Sequence, residues 1–226
     1  LHVGHGRGAA YGPVLSKLLR TAGFDVTREY YVNDAGRQMD ILAVSTWLRY
    51  LALQGIPTQF PLNGYQGDYI IEIARELKDL HTATLSYDGL NFAGQAPIDV
   101  LVKAVKALEN DEAALKPVLA TLKAAQEAHI DDLITQAKAV LGLRYDIVHS
   151  AALNWVLDDI KEDLHEFNVD YENWFSEKSL MTGAKVQHAL DALHDKGLTY
   201  EKKGAIWFKA TDFGDDKDRV LVRRSE

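Results

Sequence analysis

His2 and His5 lie three residues apart at the start of the chain, in the run Leu1-His2-Val3-Gly4-His5-Gly6-Arg7-Gly8-Ala9-Ala10-Tyr11-Gly12-Pro13-Val14-Leu15. On a first helical turn that spacing points both imidazoles the same way. A helix N-terminus offers unpaired N–H groups and partial positive charge, which suits a phosphate. Imidazoles placed there can donate hydrogen bonds to phosphate oxygens as negative charge builds up during displacement at phosphorus. Gly4, between them, removes a side chain where a flat nucleotide base can lie against backbone. His2, Gly4 and His5 therefore read as half of an ATP site. His-x-Gly-His also recurs by chance, so its surroundings decide how much it carries.

Those surroundings must position the motif. Ala10, Val14, Leu15, Leu18 and Leu19 repeat at helical spacing, and Gly23 stands where a helix ends. Residues 24–32, Phe-Asp-Val-Thr-Arg-Glu-Tyr-Tyr-Val, are β-branched and aromatic and predict a strand. A polar loop follows, Asn33-Asp34-Ala35-Gly36-Arg37-Gln38, and then a second helix from about Met39. Helix, strand, loop, helix is half of a doubly wound α/β unit, and such sheets bind ligands beyond the carboxyl ends of their strands. Asn33, Asp34 and Gln38 fall at such an end and are candidate substrate contacts. Asp34 and Gln38 can equally serve as caps of the helix that follows.

The stretch from Leu1 to Gly12, followed by Thr27-Arg28-Glu29-Tyr30-Tyr31-Val32-Asn33-Asp34-Ala35-Gly36-Arg37-Gln38, resembles bacterial arginyl-tRNA synthetases, which are class I aminoacyl-tRNA synthetases. So do Asn173-Trp174-Phe175-Ser176-Glu177-Lys178-Ser179-Leu180 and the block from Gly204 to Leu221. Four separated blocks in register weigh far more than the histidine motif alone. The resemblance implies an α/β fold, part of a Rossmann-like nucleotide-binding domain with a largely helical insertion. Residues 1–60 would be the first part of that catalytic domain, 61–168 a mainly helical insertion or connective region, and 169–226 its continuation with a connective hairpin. It implies attachment of L-arginine to tRNA(Arg), with ATP and Mg2+ as co-substrate and no tightly bound cofactor. It also implies a cytoplasmic, monomeric parent. His2 and His5 would be the catalytic phosphate contacts, and Gly4 would pack near adenine or ribose. The chain starts at Leu1 on its own motif and stops at Glu226 just after a predicted strand. That reads as a fragment, without the N-terminal tRNA-contacting domain, the Lys-Met-Ser-Lys-type loop or the anticodon-binding domain.

Two other classes share some of these features. Small nucleotidylyltransferases have the His-x-Gly-His helix start and adenylyl chemistry, but not the long helical insertion or the blocks at 31–38 and 173–180. A non-catalytic helical interaction module is the third reading.

The bulk numbers fit a soluble globular protein. The chain has 226 residues, 47% hydrophobic and 26% charged, with no cysteine, which excludes a disulfide framework and thiolate metal sites. No apolar run reaches the length of a membrane span. A net charge of −8 argues against a surface built wholesale for nucleic acid. Residues 98–168 repeat apolar positions at helical spacing throughout, with Pro117 fitting best in a first turn. A strand is predicted over 169–175 and a helix over 182–196, with Val186, Ala189, Leu190 and Leu193 inward and Gly197 as its stop. A hairpin turning at Lys202-Lys203-Gly204 and a last strand over 219–223 follow. Asp215, Asp216 and Asp218 lack the later Gly and Glu of a calcium loop and read as a solvated turn. No metal site is expected. His81, His129, His149, His165, His188 and His194 share no ligand spacing and read as structural or surface residues, and the four tryptophans read as packing groups.

Overall fold

The structure is a computed structural model, and it describes residues 3–80, 85–181 and 184–223. In chain order the elements are α1 (Val3–Thr21), β1 (Glu29–Val32), α2 (Arg37–Leu53), α3 (Tyr69–Leu80), α4 (Gln95–Ala107), α5 (Glu112–Leu141), α6 (Tyr145–Glu166), β2 (Asn173–Ser176), α7 (Lys178–Met181), α8 (Lys185–Asp195), β3 (Thr199–Lys202), β4 (Ala205–Phe208) and β5 (Arg219–Val222). They form two compact units. One contains residues 1–28 and 34–172, the other residues 29–33 and 173–226.

The first unit is helical, and α2 is its axis. Ten residues of α2 are buried, among them Trp47, Leu48, Tyr50 and Leu51 with no exposure, so this helix is covered on nearly every side. Ala74 and Leu77 of α3, Ile130, Leu133, Ile134 and Ala137 of α5, and Tyr145 and Val148 of α6 close over it. Each fully buried aliphatic side chain contributes about 1.5–3 kcal/mol. Helix ends follow their sequence signals. Gly23 takes φ +90° after α1, and the Phe24 N–H reaches Leu19 O at 3.0 Å. Asn168 does the same after α6, with φ +60° and Val169 N–H on Leu164 O at 2.8 Å. These are left-handed caps that satisfy the last carbonyls.

The second unit holds a parallel pair and an antiparallel sheet. β1 and β2 pair in parallel, with Glu29 opposite Asn173 and Val32 opposite Ser176. Tyr30 stacks on Trp174 with ring centroids 4.6 Å apart. β3, β4 and β5 form an antiparallel sheet in that order. The hairpin between β3 and β4 turns at Lys203-Gly204, both with positive φ, which is the backbone a two-residue hairpin requires.

Five expectations are corrected: the bounds of two strands, the place of Pro117, the inward face of α8 and the solvated acidic turn. The strand predicted over 24–32 forms only at 29–32, and the one predicted over 169–175 forms at 173–176. Pro117 lies inside α5 rather than in its first turn, because Asp111 starts that helix earlier by accepting from the Ala114 N–H at 3.1 Å. The proline then removes one intrahelical donor. Val14, Leu15 and Leu18 on the apolar stripe of α1 are exposed, at 58%, 41% and 63%, and only Ala9 and Pro13 of this helix are buried. Val186 and Ala189 of α8 are also exposed rather than inward. Periodicity marks a face but does not say what covers it. The acidic turn is not simply solvated. Asp215 and Asp216 accept from Arg219, and Asp218 accepts from the Thr211 N–H and hydroxyl and from the Tyr200 hydroxyl. Those bonds tie the turn to the start of β5.

Candidate functional site

Helix α1 brings His5 and Gly4 onto its exposed first turn. No acidic residue stands in that turn, so nothing there opposes an anion. A side-chain carbon placed on Gly6 or on Gly8 would meet no atom within 4 Å, so the helix backbone is open at each of these positions. His2 lies outside the described residues, as does His81. Asn33 is exposed at the carboxyl end of β1, in the second unit. Asp34 and Gln38 belong to the first unit, Asp34 at 8% exposure and Gln38 exposed. The N-cap of α2 is Gly36, with no side-chain bond at that position.

The turn that carries Gln38 is held from both sides. Arg37 reaches Glu127 at 2.7 Å and Asp131 at 2.5 Å, both on α5. Asp40 accepts from Lys138 at 2.8 Å and from the Tyr145 hydroxyl at 2.6 Å. Burial first, then the bond to Asp40, pushes the Tyr145 phenol well above its usual range, so it stays a donor. Gln38 itself accepts from the Tyr65 hydroxyl at 3.3 Å. Sequence reasoning missed Arg37, Asp40 and Tyr145 as supports, because their partners lie up to 105 residues away.

A second cluster sits at the far end of α1. Glu172 accepts from Arg20 at 2.6 Å and from Arg28 at 2.9 Å. The Arg28 guanidinium first, then that of Arg20, holds the Glu172 carboxyl far below the usual carboxylate range. A cavity of about 470 Å3 between α3 and α6 is lined by Glu76, Trp155, Asp158, Asp159 and Glu162 among others, and none of the candidate site residues lines it. Among the described residues no group of three or more His, Cys, Asp or Glu side chains is placed to hold a metal ion.

Residues 1–73 match the family described as tRNA synthetases class I (R), catalytic domain. An arginine–tRNA ligase of Psychrobacter arcticus is 52% identical over 223 residues, covering 99% of this chain and 35% of that protein. One from Azoarcus sp. is 52% identical over 225 residues, covering 100% of this chain and 36% of that protein. The chain is related to the arginine–tRNA ligases along its whole length. It spans about a third of the length of the curated ligases it matches. A crystal structure from Campylobacter jejuni, assigned as an arginyl-tRNA synthetase, superposes with a TM-score of 0.66 at 24% identity, covering 99% of this chain and 37% of that one. That likeness shows a shared fold. The family match at 1–73 takes in α1, β1 and α2, and its span includes every candidate site residue.

Proposed function

We propose that this chain supplies part of the ATP side of an arginine–tRNA ligase. In that reaction the arginine carboxylate attacks the α-phosphate of Mg-bound ATP, and the bond to pyrophosphate breaks. The terminal adenosine hydroxyl of tRNA(Arg) then takes the arginyl group, and AMP leaves. No covalent enzyme intermediate is needed, so positioning and charge stabilisation carry the rate. His2 and His5 contact the ATP phosphates, Gly4 lies against adenine or ribose, and Asn33, Asp34 and Gln38 face the substrates. Mg2+ enters with ATP. Residues 1–60 form the first part of the catalytic domain, 61–168 the insertion and 169–226 its continuation. The parent works as a cytoplasmic monomer; no described helix is long and apolar enough to cross a membrane.

The observation that carries this reading is the exposed His5 on a first turn free of acidic residues and flanked by open glycine backbone, inside a segment 52% identical to arginine–tRNA ligases. His5→Ala tests it in a ligase of the relatives' full length carrying this segment. Losing a donor that strengthens only in the transition state lowers kcat by about 10²–10³ while KM for ATP changes far less. An unchanged kcat removes His5 from the mechanism.

A further inference from the structure

Helix α1 carries the histidine that the reaction needs in place, yet little packing fixes its axis within its unit. Its two buried residues, Ala9 and Pro13, line one side of a groove of about 250 Å3 whose other side is Phe167, Asn168 and Val169. The other anchor lies in its last turn. Arg20 donates to Glu172 Oε1 at 2.6 Å, and its Nε and Nη2 donate to Val26 O at 3.1 and 2.5 Å. Arg28 donates from Nε and Nη2 to the same carboxylate, at 3.1 and 2.9 Å to Oε1. The Arg28 backbone N–H donates to Oε2 at 2.8 Å, and the Glu172 N–H returns a bond to Arg28 O at 3.1 Å. One carboxylate thus gathers the last turn of α1, the segment 26–28 and residue 172. An isolated exposed pair contributes little. The Arg28 fork, a single N–H from Arg20 and a backbone N–H on one carboxylate fix geometry, which a lone pair does not.

The consequence is a lever. His5 and Arg20 are fifteen residues apart, about 22 Å along a helix. A tilt of about 3° at the Arg20 end moves the first turn by roughly 1 Å. Where catalysis is positioning, a 1 Å misplacement costs on the order of 10²-fold. We infer that Glu172 is a positioning residue for the ligase reaction: through Arg20 and Arg28 it sets the direction of α1 and so the place of His5. This rests on the role given to His5 above.

The test is a double-mutant cycle in the full-length ligase, with His5→Ala and Glu172→Gln singly and together. Gln keeps the side chain's length but loses the charge that two guanidiniums need. With His5 present, Glu172→Gln lowers kcat by about tenfold or more. With His5 already replaced, a tilt of α1 acts only through His2 and Gly4, so the same change lowers kcat several-fold less than it does with His5 present. A merely structural role gives no such coupling, since sites this far apart ordinarily act additively. Equal losses in both backgrounds, or no loss in either, overturn the positioning role while leaving His5 intact. A His5→Ala enzyme with normal kcat overturns instead the reading on which the role rests. Should Glu172→Gln fail to fold, Arg28→Lys, which keeps the charge and loses the fork, enters the same cycle with the same expected coupling.

Discussion

His129 is buried at a cost. It is 3% exposed, and neither ring nitrogen has a hydrogen-bond partner among the described residues. Burial lowers its pKa, and Asp132 pulls weakly the other way. The folded chain therefore keeps this imidazole neutral, whereas the unfolded chain takes up a proton near pH 6.5. Stability is full above that pH and is lost as pH falls below it, until the folded form protonates too. At its steepest, one such proton costs about 1.4 kcal/mol per pH unit. Urea unfolding from pH 7.5 to 5.5 should show a steeper loss for the natural chain than for His129→Leu, and equal slopes would contradict the assignment. Gly94 is tied to the same ring. A Cβ there would lie 2.5 Å from His129 Nδ1, so Gly94→Ala should destabilise by about 1–3 kcal/mol through crowding. An unchanged unfolding midpoint would show that the ring can move aside. The histidine motif was legible because its chemistry lies in consecutive residues. Glu172 was not, since its partners are 144 and 152 residues away and no local pattern marks them.

Elements were readable wherever a local signal starts or stops them. Gly23 and Gly197 end helices as their spacing implies, and Lys203-Gly204 makes the hairpin. The signal failed where a competing local bond decided. Asp111 begins α5 before Pro117, so the proline is carried inside the helix rather than at its start. That makes the cap consequential, because it organises the turn that a missing N–H weakens. Asp111→Ala should cost about 1 kcal/mol, measured by chemical unfolding, and a change below a few tenths would mean α5 starts without it. The apolar stripe of α1 teaches the opposite lesson. Its period is correct, but Tyr11, Val14 and Leu18 face solvent at 71%, 58% and 63% exposure, and periodicity never names the surface that would cover them.

At the scale of the whole molecule, the chain is about a third of the length of its relatives, and its described candidate residues are divided between its two units. Much of the binding energy for a triphosphate comes from groups closing on it from several sides. The 226-residue segment by itself should bind ATP weakly or not at all in titration calorimetry. Micromolar affinity would mean that the α1 start is close to self-sufficient. The account's central claim, that this chain serves the activation of arginine, is tested most directly by pyrophosphate exchange into ATP. The measurement is made in a ligase of the relatives' length carrying this segment, with and without tRNA(Arg). Exchange that requires arginine, and that other amino acids do not support, is the predicted result. Exchange without any amino acid, or driven equally by another one, would contradict it.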